Sequence, residues 1–213
     1  SALARYWGKR DFSVTGEPRG NDAVGNAQGP LSFCVQKHWA SRLHYDLGLE
    51  LDGVLLSWAV PKGPSYDPTD KQIAVHVEDH PLAYGSFEGT IPKGQYGAGS
   101  VIVWDRGSWE PVGDPRQGMK DGKLVFTLHG HKLFGLWELV RIAKPGDRQE
   151  TWILFKKRDR HARPRIAYEV VSALPDSVLA RPLMADAEGG VPMGAVQGPM
   201  PTSLAPQLPT LVA

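Results

Sequence analysis

The stretch QKHWASRLHYDLGLELDG, residues 36–53, holds His38, His44 and Asp46 within nine positions. Two imidazoles and one carboxylate suit manganese, iron or zinc. Positions left open on such an ion can activate water or polarise a phosphoryl oxygen. His44 and Asp46 are two residues apart in a segment that alternates apolar and polar, so on a strand they project from one face. His38 can join them if the chain turns through WASR. Polar residues decorating the solvent face of a half-buried strand would give the same pattern, and H-x-D alone does not decide between the two.

A second constellation is HVEDHP, residues 76–81. The metallopeptidase signature is H-E-x-x-H on a helix; this is H-x-E-x-H on an alternating, β-branched segment stopped by Pro81. On a strand, His76, Glu78 and His80 share a face, where a general acid–base pair or a phosphate-contacting group is available. A solvated sheet edge is the plainer alternative. GTIPKGQYGAGSVIVW (89–104) contains G-x-x-G-x-G spacing, but a phosphate-binding loop of that kind opens a helix and SVIVW reads as strand. It is read as a glycine-rich turn that lets backbones approach closely. The H-x-H of HGH (129–131) has Gly130 at its centre and is read as structural.

Strands must position these groups. LHYDLGLELDG puts Leu43, Tyr45, Leu47, Leu49 and Leu51 on one face and His44, Asp46, Gly48 and Glu50 on the other. IAVHVEDH alternates likewise, with Ile73, Val75 and Val77 opposed to His76, Glu78 and His80. SVIVWDRGSW, KLVFTLHG, LWELVRI and TWILFKK supply further short segments, most bounded by Gly, Pro or Asp turns. The expected fold is mainly β: a compact antiparallel β-barrel with a few short helices. Helix is confined to minor pieces such as 37–42 and 165–180.

The chain has 213 residues, 41% hydrophobic and 22% charged, ordinary values for a globular protein. A net charge of +1 argues against a bulk electrostatic grip on nucleic acid but leaves room for a local basic patch. The lone Cys34 excludes an intramolecular disulfide and a cysteine-built zinc site, and fits a reducing compartment. No apolar run approaches the roughly 18–20 residues of a membrane span, and no signal-peptide core is evident. A soluble, cytoplasmic protein without membrane association is expected. Composition divides the chain into an N-terminal arm and flexible connector (1–30), a barrel (31–160), a helical or irregular cover (161–184) and a Pro/Gly/Ala linker (185–213).

Taken together, QKHWASRLHYDLGLELDGVLLSWAVPKGPS, AVHVEDHPLAYGSFEGTIPKGQYGAGSVIVWDRGSW and the opening ARYWGKRDF resemble the 3′-phosphoesterase domain of bacterial DNA ligase D, over about residues 3–160. The tail PTSLAPQLPTLVA is similar to the start of the ATP-dependent ligase domain that often follows. The resemblance implies a β-barrel with a divalent-metal site, manganese being the expected ion. It implies two-stage hydrolysis at DNA or RNA 3′ ends: removal of a terminal ribonucleoside, then of the 3′-phosphate. It assigns His38, His44 and Asp46 as metal ligands and His80 as the contact to the scissile phosphate. Glu78 and Tyr84 become further active-site residues, Lys62 a substrate-side lysine, and Arg10 and Asp11 parts of an arm folded over the site. Ku, polymerase and ligase partners in double-strand break repair follow from the same likeness.

Two positions depart from the family pattern, which reads H-Y-D-x-R and K-R-x-A-V. Gly48 and Gln72 stand where arginines are expected. Parity places Gly48 with His44 and Asp46, and Gln72 with Glu78 and His80. The missing groups are phosphate clamps, because a guanidinium fork matches two phosphate oxygens. Reduced hydrolysis is therefore expected, and a catalytically weak end-binding or partner-tethering module is the alternative. Deleting residues 1–12 is expected to lower turnover or affinity more than thermal stability. Residues beyond 185 are expected to be trimmed by protease without loss of stability.

Overall fold

The computed structural model describes residues 1–21 and 29–179. Ten strands follow in chain order: β1 (Leu31–Trp39), β2 (Leu43–Leu51), β3 (Val54–Val60), β4 (Gln72–His76), β5 (His80–Pro81), β6 (Gly89–Ile91), β7 (Gly99–Pro111), β8 (Lys123–Gly130), β9 (Phe134–Arg141) and β10 (Glu150–Lys156). Eight of them run β1-β2-β3-β4-β10-β9-β8-β7, and β7 pairs back onto β1 to close an antiparallel barrel. Closure leaves the barrel without the unpaired edges that invite aggregation. The short β5 adds to β3, and β6 adds to β7.

Tryptophan fills the interior. Trp58, Trp104, Trp109, Trp137 and Trp152 are all fully buried. A buried indole N–H needs an acceptor, and four of these find one: Trp104 on Leu174 O, Trp109 on Glu50 O, Trp137 on Phe134 O and Trp152 on Glu150. The partner of Trp104 belongs to the segment after the barrel, where the short α-helix Val170–Ala173 tucks Val170 and Leu174 into the same core. The linker expected at 185–213 lies outside the described residues.

The helix expected around 37–42 is not there. Lys37, His38 and Trp39 complete β1, paired on one side with Leu43–Tyr45 and on the other with Ser100–Ile102. Two flanking strands supply backbone partners that outweigh a short local helical preference. A helix does form at Pro115–Asp121. Its signals stand in the sequence: Asp114 accepts the N–H of Arg116, Pro115 opens the helix, and Gly122 ends it at φ 76°.

The outer face of β1–β3 is covered as well. Leu3, Tyr6, Cys34, Val54, Leu55 and Tyr84 form a second apolar cluster. It joins a short N-terminal helix (Ala4–Gly8) to a 3₁₀ turn (Leu82–Ser86) over those strands. Tyr6 also donates its hydroxyl to Pro18 O at 2.6 Å. The arm is thus an integral layer through residue 21, while 22–28 of the expected connector lie outside the described residues. Deleting residues 1–12 would remove the fully buried Leu3 and Tyr6, so stability would fall along with any activity. The stability-sparing outcome expected of that deletion does not suit this packing.

Candidate active site

The β1–β2 hairpin sets His38 directly across from His44, and Gln36 across from Asp46. Side chains opposite one another on paired strands share a face, so His38, His44 and Asp46 meet above the sheet. Their ligand atoms lie within 4.8 Å of one another. Asp46 Oδ2 is 3.3 Å from His38 Nδ1 and 3.2 Å from His44 Nε2.

The far nitrogen of each ring is already committed. His38 Nε2 faces Gly97 O at 2.7 Å, and His44 Nδ1 faces Arg42 O at 3.0 Å. A carbonyl only accepts, so each of these nitrogens carries the proton. His38 Nδ1 and His44 Nε2 are thereby left facing the Asp46 carboxylate, as donors in the protonated rings and as free lone pairs in the neutral ones. With the rings neutral, three electron-rich atoms converge, and either ring protons or a metal ion between them relieves the repulsion. Carbonyl-oriented imidazoles of this kind are the usual outer support of metal-ligating histidines. The donor set therefore fits a divalent ion. Burial pushes the Asp46 carboxyl up, but without a metal the hydrogen bonds from protonated His38 and His44 outweigh this and hold it well below the usual carboxylate range.

His38, His44 and Asp46 line a cavity of about 240 Å³ together with Arg10, Glu78, His80, Tyr84 and Tyr96. His80 is held from beneath. Ser57 Oγ donates to Leu55 O at 2.9 Å, so it accepts from His80 Nδ1–H at 3.0 Å. The Nε2 lone pair then faces Arg10 Nη2 at 3.4 Å. Burial, reinforced by the Arg10 charge, pushes the His80 imidazole down to about 4, and the ring is neutral at pH 7. Between the ordinary value of 6.5 and about 4, the unfolded chain binds a proton that folded His80 does not. The stability tied to this neutral ring is complete above pH 6.5 and disappears as pH falls through 4. Wild-type protein should therefore lose more stability than His80→Asn between pH 7 and pH 4, by up to about 3 kcal/mol. Parallel denaturant titrations at the two pH values check this.

Arg10 is the hub of the arm. Its Nε donates to Glu17 Oε1 at 2.8 Å and its Nη1 to Glu78 Oε1 at 3.3 Å, with the guanidinium 3.9 Å above the Tyr6 ring. Lys9 donates to the other oxygen of Glu78 at 2.7 Å. Burial raises the Glu78 carboxyl, but the bond from Lys9, a backbone N–H and the Lys9 charge bring it below its ordinary value. Arg10→Ala would leave Glu17 buried without its cation, which costs about 3–5 kcal/mol. A thermal melt showing an unchanged midpoint would refute that reading.

Other expected positions fall elsewhere. Tyr84 lines the cavity from the 3₁₀ turn. Asp11 is exposed and caps its own turn by accepting from Ser13 N and Oγ, and Lys62 is exposed outside the cavity lining. The shared face of His76, Glu78 and His80 is not realised. β4 stops at His76, and residues 77–79 are irregular, which resets the alternation. His76 packs its ring on Trp58 and contacts Glu150, while Glu78 and His80 reach the site. Gln72 pairs with Leu154 and alternates with the core residue Ala74, so it faces the barrel side of β4 and not the site. Gly48 does lie on the site face: it pairs with Ser57, the residue that holds His80. Residues not singled out from sequence are Lys9, Glu17, Ser57, Tyr96 and Gly97. Lys9, Tyr96 and Gly97 stand inside stretches quoted for the resemblance, but Glu17 lies in a segment whose composition gives no sign of burial.

The DNA ligase D 3′-phosphoesterase domain model matches residues 36–141. The multifunctional non-homologous end joining protein LigD of Pseudomonas aeruginosa is 50% identical over 220 residues, covering 99% of this chain and 26% of that protein. The corresponding protein of Mycolicibacterium smegmatis is 40% identical, covering 76% of this chain and 21% of that one. The non-homologous end joining DNA repair protein LigD of Mycobacterium tuberculosis is 41% identical, covering 74% and 20%. The chain thus spans 20–26% of the length of these relatives.

Proposed function

This chain belongs to the DNA ligase D 3′-phosphoesterase domain family, and from that premise we propose that it is a metal-dependent hydrolase of nucleic-acid 3′ ends with reduced activity. The observation that carries the reading is the convergence of the ligand atoms of His38, His44 and Asp46, within 4.8 Å of one another, in one cavity with His80. Those three residues hold the divalent ion, manganese on the family's likeness. When bound, the ion supplies Lewis acidity toward a phosphoryl oxygen or water. The substrates are 3′-ribonucleoside and 3′-phosphate termini, processed to a 3′-hydroxyl in double-strand break repair.

The remaining roles follow from charge. A phosphate entering the cavity brings negative charge beside the neutral His80 and raises its pKa. Nε2 then takes a proton from solvent in place of its contact with Arg10 Nη2 and offers it as a hydrogen bond to a non-bridging oxygen, while Ser57 keeps the ring oriented. Arg10 holds Glu78 and His80 in place from the arm, and Tyr84 closes the side wall. The cellular setting we propose is the bacterial cytoplasm, with ligase and polymerase modules and Ku as partners.

The absence of a side chain at Gly48 favours a second reading, an end-binding module with little turnover. Titrating a 3′-phosphate-terminated primer–template with the protein, with and without manganese, and analysing the DNA afterwards separates the two. Manganese-dependent formation of 3′-hydroxyl product supports the enzyme. Tight binding with unaltered DNA supports the module.

A further inference from the structure

Two aromatic side chains are exposed among the described residues, Trp39 and Tyr96. Trp39 follows His38 on β1 and so points to the opposite face. Tyr96 lines the cavity, yet 48% of it remains open to solvent. We propose that Tyr96 is the platform on which the base of the terminal nucleotide stacks, so that the site selects 3′ ends that carry a base. The proposal rests on the 3′-end reading above and adds a specificity-determining residue to it.

Three observations carry it. The ring's position is tied to the metal ligands: the next residue, Gly97, supplies the carbonyl that accepts from His38 Nε2 at 2.7 Å. The loop around it is sharply turned, with Gly94 at φ 89° and Gly97 at φ 75°, and the bonds Gln95 N to Pro92 O and Ala98 N to Gln95 O brace it. Tyr96 is therefore presented from a fixed turn.

Cavity size is the second observation. About 240 Å³ falls below the usual range for a complete small-molecule pocket. A phosphate group fits inside, but the nucleoside attached to it must lie along the mouth, where Tyr96 stands.

The third is the cationic rim. Lys9 Nζ donates to the Tyr96 hydroxyl at 3.1 Å and lies 4.4 Å from the ring centroid, and the Arg10 guanidinium lies 5.6 Å from it. A half-open aromatic ring flanked by cations is the arrangement used by proteins that bind single-stranded ends through base stacking beside backbone charge.

The test uses fluorescence anisotropy with manganese and two primer–template probes. Both end in a 3′-phosphate; one has an ordinary last nucleotide and the other an abasic last residue. Stacking of one base corresponds to roughly 5- to 150-fold in affinity, and wild-type protein should prefer the base-bearing probe within that range. Tyr96→Phe should keep the preference, and Tyr96→Ala and Tyr96→Leu should lose it. Both probes are compared on the same variant, so a general loss of loop order cancels. Equal binding of the two probes by wild type, or a preference that survives in Tyr96→Ala, overturns the stacking role and leaves the 3′-end reading standing. Failure of wild type to bind either probe overturns both.

Discussion

Replacing His44 and Asp46 together with alanine is expected to abolish manganese binding and, with it, any hydrolysis of a 3′ end. Loss of an outer-shell partner alone commonly weakens metal affinity about 10- to 100-fold, so removing two of three ligands should exceed that. The barrel should survive the change. Both side chains sit on its outer face, part open to solvent, and neither belongs to the tryptophan core. The His44–Asp46 contact is part open to solvent, so its loss should make the metal-free variant no less stable than metal-free wild type by more than about 1 kcal/mol. Isothermal titration with manganese, alongside thermal melts, reads both quantities. Full manganese occupancy in the double variant would remove this site from consideration.

The second large effect is a gain. Gly48→Arg should raise hydrolysis by about 100- to 1000-fold, the factor usually attached to one fixed donor facing developing charge. Gly48 is not among the residues with positive φ, so its backbone accepts a side chain. A Cβ there would sit 3.1 Å from Cys34 Sγ and 3.4 Å from Leu55 Cβ, which is tight. Beyond it lies a cavity of only about 10 Å³ lined by Asp46, Ser57, His80 and Tyr84, so the longer group reaches the His38–His44–Asp46 cluster by displacing these neighbours. Crowding against Cys34 should cost about 1–3 kcal/mol of stability. Gly48→Arg combined with Cys34→Ala should recover part of that loss and keep the gain in rate. Gln72→Arg is expected to add little, because Gln72 faces the barrel side of its strand. A matched set of single-turnover rates for wild type and the three variants checks the order, and a Gln72→Arg gain equal to that of Gly48→Arg would contradict the placement.

Which parts of this site could be read from sequence follows from how local the signals are. Period-two alternation in LHYDLGLELDG places His44 and Asp46 on one face, and β2 does so. That His38 joins them depends on a hairpin, whose register is a pairing of two strands and not a property of either. The same limit explains the misassignment of Gln72. Alternation carried across Val77–Asp79 assumes an unbroken strand, while the pairing with β3 slips by one residue between Trp58–His76 and Leu55–His80, and the chain shifts phase. Closure of the sheet rests on β7 pairing with β1, a contact between segments some seventy residues apart, and only the density of short strands and tryptophans hints at it. The arm is the least legible element. Nothing in TGEPRG signals that Glu17 is buried, since its burial comes from the Arg10 guanidinium brought against it by the folded arm.

Manganese-dependent chemistry at the His38–His44–Asp46 centre underlies every role proposed above. Its most direct test is a single-turnover assay on a primer–template duplex ending in one 3′-ribonucleotide, with protein in excess, comparing wild type with the His44→Ala, Asp46→Ala double variant. Wild type is expected to convert the end slowly, first to a 3′-phosphate and then to a 3′-hydroxyl, only when manganese is present, and the double variant not at all. Conversion that persists without a divalent ion, or at an unchanged rate in the double variant, would contradict it.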